Sequence, residues 1–138
     1  MRQVEILKAI ADENRLRILN LLSRNLLCVC EIETMLELNQ SNISRHLAKL
    51  RKAGIIIAEK DAQWVHYKID TKFKKEHPGL WRHMEKIFLE STICASDNKR
   101  YDNYIENGFT CKDIQSDKGL VLENIKETQS KIGSREAK

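Results

Sequence analysis

The sequence has little proline and glycine, with one proline and five glycines among 138 residues. This scarcity argues against a long, turn-rich β architecture, and frequent Leu, Ile, Glu and Lys at helical spacing favour a mainly α-helical fold. No apolar run approaches the roughly 20 residues that cross a bilayer, and charged residues interrupt the N-terminal segment, unlike a signal peptide. We therefore expect a cytoplasmic protein without a membrane partner, whose four cysteines serve as metal ligands, redox thiols or core residues.

The charge balance permits nucleic-acid binding without establishing it. Lys and Arg number 24 and Asp and Glu 20, which gives a formal net charge of +4. The placement of the basic residues therefore matters more than their number. The sequence contains no phosphate-binding glycine loop, nucleophile elbow or paired catalytic acids, and its close cysteine pair lacks the spacing of a thiol oxidoreductase. We expect neither an enzyme nor an organic cofactor.

The hydrophobic pattern divides the chain into helices and a hairpin. Helical spacing predicts four successive helices, at residues 2–11, 13–23, 28–37 and 41–52. The pattern then changes to two short β-strands, at 55–60 and 64–69, joined by a polar loop. A fifth helix, interrupted near Pro78, continues toward Cys94. This order predicts a winged helix-turn-helix, mainly α with a β-hairpin wing.

The composition becomes polar after this region. We expect a folded domain over residues 1–95 and a polar, weakly ordered C-terminal tail over residues 96–138. Within the tail, apolar residues between 120 and 125 indicate at most one short helix.

The fourth helix carries polar side chains opposite an apolar face of Ile43, Leu47 and Leu50. Together with the hairpin they form a candidate DNA-binding surface, because hydroxyls and amides reach phosphates or base edges and arginine pairs with guanine through two hydrogen bonds. A solvated helix and loop would look similar, but the order of elements favours DNA; which side chains read bases stays open. The candidates are Ser41, Asn42, Arg45, His46 and Lys49 from the helix and Lys60, Gln63, His66 and Lys68 from the hairpin.

Three motifs follow one another along the chain: Cys28–Ile32, Gln40–Gly54 and Trp64–Tyr67. Over residues 4–92 they resemble the ArsR/SmtB family of metal-responsive repressors, most of all its arsenic-responsive branch. The resemblance implies a homodimer, packed through the first and fifth helices, that binds a near-palindromic operator DNA and dissociates when a ligand binds. It also adds Gln40 and Ser44 to the predicted DNA contacts.

The pair Cys28 and Cys30 is the candidate ligand site, because soft sulfur donors favour thiophilic ions. On a regular helix, residues two positions apart point about 200° apart. For one ion to bind both sulfurs, either Cys28 lies before the third helix, or ion binding must unwind the first turn of that helix. Unwinding would distort the helix that packs beneath the fourth helix, which is the predicted recognition helix. Two alternative roles for Cys28 and Cys30 stay open: they are small apolar residues buried in the core, or they form a redox switch through oxidation of their thiols.

The sequence departs from the best-known arsenic sensors of this family, which read Cys-Val-Cys-x-x-Cys, because the third position is Glu33. A trivalent arsenic centre bound by three sulfurs then needs another thiolate, from the same or a partner subunit. Cys94 and Cys111 are the remaining cysteines and hence the candidates. The alternatives are core packing for Cys94 and an idle exposed thiol for Cys111.

The resemblance implies trivalent arsenic as the inducer, as arsenite and possibly antimonite. Cadmium- and lead-responsive members of the family share the Cys-Val-Cys pair and provide an alternative. The cadmium- and lead-responsive members that the sequence resembles have further cysteines in an N-terminal extension. The matched region here begins almost at Met1. That difference favours arsenic over cadmium or lead.

Overall fold

The computed structural model describes residues 1–126, and within them the predicted order of helices and hairpin is present. Three further helices follow it. None of the helices in this part of the chain is long and apolar enough to cross a bilayer. The elements are α1 (Arg2–Ile10), α2 (Glu13–Leu22), β1 (Leu27–Cys28), α3 (Val29–Leu36), α4 (Gln40–Lys52), β2 (Ile56–Asp61), β3 (Trp64–Ile69), α5 (Thr71–Glu76), α6 (Pro78–Glu90), α7 (Thr92–Glu106), α8 (Cys111–Ser116) and α9 (Lys118–Ile125).

Helix α4 has a defined start and end. The Asn39 side chain accepts a hydrogen bond from the Asn42 backbone N–H at 2.9 Å, which satisfies one free donor of the first turn. After the helix, Gly54 adopts a φ of +77°, and a Cβ there would lie 2.7 Å from a guanidinium nitrogen of Arg2. The recognition helix is therefore bounded where the sequence indicates.

The wing is an antiparallel hairpin of β2 and β3, in which Asp61 pairs with Trp64. The sheet has a third strand, in the order β1-β3-β2, and Cys28 of β1 lies opposite His66 of β3. The sequence pattern predicts Cys28 as the first residue of the third helix. The structure instead starts α3 at Val29, because Cys28 belongs to the strand that pairs with the wing.

The core lies among α2, α3, α4 and the base of the sheet. The predicted apolar face of α4 is buried, with Ile43, Leu47 and Leu50 at most 1% exposed. Ile32 and Met35 of α3 are also fully buried. Helix α3 is thus packed directly beneath the recognition helix, as the winged helix-turn-helix order requires.

Helices α7 to α9 occupy a region for which the sequence predicts a weakly ordered tail. Helix α7 starts at Thr92 and continues across the predicted boundary at residue 95. Tyr104, Val121 and Ile125 are at most 1% exposed, and they pack into the same core as the winged domain. Few and widely spaced apolar residues anchor these helices, which explains why the polar composition is misleading. Residues 127–138 of the predicted tail lie outside the described residues.

Candidate ligand and DNA sites

Three sulfur atoms meet at the start of α3. Cys28 is the residue before the helix, with an extended backbone, and Cys30 lies in the first turn; their Sγ atoms are 3.0 Å apart. Cys111, the first residue of α8, brings its Sγ into direct contact with that of Cys28, close enough for a disulfide bond. All three sulfurs lie within 4.8 Å of one another. We call this group the thiol cluster.

The extended backbone of Cys28 decides between the two geometries that the sequence allows. Because Cys28 lies before the helix, its side chain reaches the Cys30 sulfur with α3 fully formed. The first turn therefore has no need to unwind to bring the pair together. The distortion of α3 that the second geometry requires is absent from this structure.

Glu31 holds the start of α3 from two sides. Its Oε1 accepts the Cys28 backbone N–H at 3.0 Å, and its Oε2 accepts the hydroxyl of Tyr104 of α7 at 2.5 Å. Burial, together with Glu31, raises the pKa of Tyr104, so this hydroxyl stays a donor. Glu31 stands at the glutamate position of a capping box, three residues after the N-cap, but the sequence signal is only half present because Cys28 replaces the usual Ser or Thr. Nothing in the sequence points to Tyr104.

Glu33, which stands where the arsenic sensors that the sequence resembles have a third cysteine, pairs with the Lys118 ammonium of α9. Directly after α3, Glu37 pairs with Arg100 of α7. These contacts attach the C-terminal helices to the outer side of α3. Glu33 therefore helps to hold the C-terminal helices, one of which brings Cys111 to the pair Cys28 and Cys30.

Cys30 and Cys94 both have a raised pKa, but only Cys30 belongs to the thiol cluster. Burial raises the pKa of Cys30 to about 11, and the carboxylate of Glu31 adds to the shift, so the group is a neutral thiol near pH 7. Cys94 is 2% exposed, and burial raises its pKa as well. Within the described residues Cys94 is not among the sulfurs of the thiol cluster. Of the two candidate third donors, the fold brings Cys111 and not Cys94 to the pair.

The thiol cluster borders elements that are predicted to touch DNA. A cavity of about 260 Å³ is lined by Cys28 and Cys30 together with Glu33, Gln40 and Trp64. Gln40 is the first residue of α4, and Trp64 is the first residue of β3. A ligand at the sulfurs would therefore lie beside the start of the recognition helix and the part of the wing strand that follows the hairpin turn.

Most predicted DNA contacts lie on the open surface. Arg45 is exposed, and its guanidinium donates to the Asn42 side chain at 2.7 Å, so the two project from the same side of α4. Asn42 is half-buried. The remaining exposed candidates are Gln40, Ser41, Ser44 and Lys49 of the helix and Lys60 and Gln63 of the hairpin.

The structure corrects the prediction that His46 faces outward as a DNA contact. His46 is only 7% exposed, and its Nδ1 lies 3.1 Å from a guanidinium nitrogen of Arg15 of α2, so it does not face outward to DNA. Burial lowers the pKa of His46, which keeps the ring neutral and able to accept from Arg15. Its spacing from Ile43 and Leu50 places it on the inner face of α4, a signal that its polarity masks.

His66 is half-buried in the middle of β3, opposite Cys28 of β1. Its ring lies within 4.8 Å of ligand atoms of Glu31 and Cys111. The structure therefore places this predicted DNA contact beside the thiol cluster.

Comparison with known proteins agrees with this architecture. Residues 12–58 match the family described as "Bacterial regulatory protein, arsR family". The chain is 46% identical over 95 residues to the arsenical resistance operon repressor of Escherichia coli (strain K12), covering 68% of this chain and 75% of that protein. It is 31% identical over 97 residues to a cadmium resistance transcriptional regulatory protein, CadC homolog, of Staphylococcus aureus, covering 70% and 75%.

Among solved structures, the fold is similar to the homodimeric winged helix-turn-helix DNA-binding domain of Mb0332 from Mycobacterium bovis. The TM-score is 0.54 at 22% identity, over 66% of this chain and 85% of that domain. This likeness shows the winged helix-turn-helix fold.

Proposed function

The chain belongs to the arsR family of bacterial regulatory proteins, and we propose that this transcriptional repressor leaves its operator DNA when trivalent arsenic binds the sulfurs of Cys28, Cys30 and Cys111. The observation that carries the proposal is the meeting of these three sulfurs within 4.8 Å. Trivalent arsenic is thiophilic, and three sulfurs complete its coordination. The similarity to an arsenical resistance repressor supports the same inducer.

The binding reaction balances with the protein's own thiols. In each of three steps, a thiol replaces one hydroxyl of arsenous acid: an As–S bond forms, an As–O bond breaks, and the thiol proton leaves with the hydroxyl as water. Arsenic stays trivalent, so no oxidant or reductant is required. Antimonite follows the same chemistry.

The position of the thiol cluster supports a coupling to DNA. Cys28 ends β1, which pairs with wing strand β3, while Cys30 lies in α3, which packs against α4. An ion that fixes the three sulfurs would thus act on both DNA-contacting elements at once. Release follows if the ion-bound arrangement of wing and recognition helix binds DNA less well than the free one.

The repressor is proposed to act as a homodimer packed through α1 and α6, the latter being the main part of the predicted fifth helix. In the single chain, Val4 and Leu7 of α1 and Leu89 of α6 expose 40%, 54% and 88% of their area. Such unpartnered apolar side chains support an interface with a second copy. Two recognition helices related by a two-fold axis would match a near-palindromic operator.

The test is fluorescence anisotropy of labelled operator DNA with the reduced full-length protein, during titration with arsenite. We expect release from the parent protein and no release, in the same range, from Cys28→Ser, Cys30→Ser and Cys111→Ser proteins that still bind DNA. Cys94→Ser is the matched control and should respond like the parent. A normal arsenite response of Cys111→Ser would reject the three-sulfur site.

A second candidate is a redox switch, favoured by the direct contact between the Cys28 and Cys111 sulfurs. Peroxide would remove two electrons from the two thiols, form the disulfide and be reduced to water. Release by peroxide but not by arsenite would support this function. Release by cadmium or lead alone in parallel titrations would instead support the inducer suggested by the similarity to the cadmium resistance regulator.

A further inference from the structure

A second group of metal-ligand atoms shares Cys111 with the thiol cluster. A carboxylate oxygen of Glu31, a ring nitrogen of His66 and the Cys111 sulfur lie within 4.8 Å of one another. All three residues line a cavity of about 460 Å³, which Tyr104 and Phe109 also border. The cavity leaves room for an ion and a bound water, because one water needs only about 10–15 Å³ of space open to a water-sized probe.

The three ligand residues come from separate, well-anchored elements. His66 is held by the pairing of β3 with β1, and Cys111 by the start of α8. Glu31 is buried and fixed by its bonds from the Cys28 N–H and the Tyr104 hydroxyl. These two bonds occupy part of the roughly four acceptor positions of a carboxylate, so Glu31 keeps capacity for an ion.

We propose that Glu31, His66 and Cys111 bind zinc, and that zinc and trivalent arsenic exclude each other because both use the Cys111 sulfur. Imidazole, carboxylate and a single thiolate are ligands that zinc accepts together in a tetrahedral site, with water in the fourth position. The same set suits trivalent arsenic poorly, since only one donor is sulfur. The zinc site stands on the Glu31–His66–Cys111 geometry alone, whereas the competition also rests on the proposed function.

Zinc at this site would act in the opposite sense to the inducer. It would join the wing strand, α3 and α8 through one ion while withdrawing the third sulfur from Cys28 and Cys30. The arsenite concentration required for DNA release would then rise with free zinc. With zinc at about ten times its dissociation constant, simple competition raises that concentration about elevenfold.

The first experiment uses cobalt(II) as a coloured replacement for zinc on the reduced full-length protein. We expect visible bands of a tetrahedral site with charge transfer from one thiolate, displaced by zinc. His66→Ala and Cys111→Ser should abolish the bands. The Cys28→Ser/Cys30→Ser double variant should keep them, as should His83→Ala, a matched control at an exposed histidine of α6.

Circular dichroism of each variant establishes that the fold is retained. Unchanged bands in His66→Ala would show that His66 is not a ligand. Loss of the bands in the Cys28→Ser/Cys30→Ser protein would place the ion at the thiol cluster. Either result would overturn the proposal. The absence of any zinc-displaceable band in the parent protein would overturn it equally.

The second experiment measures the shift in arsenite-induced DNA release on adding zinc, within each protein. The parent and His83→Ala should show the roughly elevenfold shift at the zinc level given above, and His66→Ala should show none. An equal shift in His66→Ala, or no shift in the parent, would reject the competition. If arsenite releases no protein from DNA, the proposed function fails, while the cobalt result still decides the zinc site.

Discussion

The winged part of the chain, α1 to α6, and the C-terminal helices, α7 to α9, are held in different ways. Aliphatic side chains such as Ile18, Leu19 and Leu47 fill the core of the winged part. The C-terminal helices bury fewer apolar side chains and attach through polar pairs that reach back to α2 and α3. These pairs are Arg17–Asp97, Asn20–Asn98, Glu31–Tyr104, Glu33–Lys118 and Glu37–Arg100.

Apolar burial and polar pairs contribute differently to the structure. Apolar burial is large but non-directional, so it stabilises the fold without fixing one side chain to within an ångström. Charged and hydroxyl hydrogen bonds are directional, and here they fix α7 and α9, the helices on either side of α8. Helix α8, which carries Cys111, is thus held between two helices that polar pairs attach to a core built by aliphatic residues.

The largest expected effect is at Asp97. Its carboxylate is 3% exposed and accepts two hydrogen bonds from Arg17, at 2.8 and 2.9 Å. Asp97→Ala leaves the half-buried guanidinium of Arg17 without a carboxylate, with only the neutral acceptors Asn14 and the Leu36 carbonyl. It should cost about 3 kcal/mol of unfolding free energy, the lower end of the range for a broken buried ion pair, in urea titrations followed by circular dichroism. Asp102→Ala, which breaks an exposed pair with Arg24, is the control and should cost at most about 1 kcal/mol. Equal small losses would show that polar pairs do not hold α7.

A smaller effect is expected at Tyr104. Tyr104→Phe removes the donor to buried Glu31 and should cost about 1–3 kcal/mol. Hydrogen exchange measured by mass spectrometry should accelerate in α3 and α7. Tyr101→Phe, on the same helix but with its ring 5.4 Å from the Arg24 guanidinium, should leave α3 unchanged. Unchanged exchange in Tyr104→Phe would mean that the aromatic ring, not the hydroxyl, anchors the helix.

The smallest effect concerns His46, inside the winged part. Burial lowers the pKa of His46 in the folded protein. The positive charges of Arg15, Arg45 and Lys49 lower it further, whereas the carboxylate of Asp12 acts in the opposite direction. The unfolded chain therefore takes up the proton first as the pH falls. Stability contributed by the neutral ring is complete above the unfolded value of 6.5 and is lost as the pH falls from there toward the folded pKa.

Urea titrations at pH 7.5 and 5.5 would measure this dependence. His46→Gln, which cannot titrate, should lose less stability between the two pH values than the parent. An equal pH dependence of the two proteins would remove His46 as its source.

Much of the winged part was predictable because its signals are local. The face of α4 with Ile43, Leu47 and Leu50, the hairpin strands and the Cys28–Cys30 pair all follow from spacing within a few residues. His46 was misplaced because its polarity suggested solvent, while its partner Arg15 lies 31 residues away in the chain.

The C-terminal helices were not predictable in the same way. Arg17 and Asp97 are 80 residues apart, and Glu33 and Lys118 are 85 apart. Such pairs leave no periodic pattern in a single sequence. The polar residues that suggested a weakly ordered tail, Asp97 and Lys118 among them, are those that dock it.

The separation of 83 positions between Cys28 and Cys111 also imposes an order on biosynthesis. A ribosome adds residues from the N-terminus, and protein segments begin to fold in that order. The recognition helix and wing therefore leave the ribosome before the third sulfur has been made. In each round of translation, the helix and hairpin that are proposed to contact DNA are therefore made before the proposed arsenic site is complete.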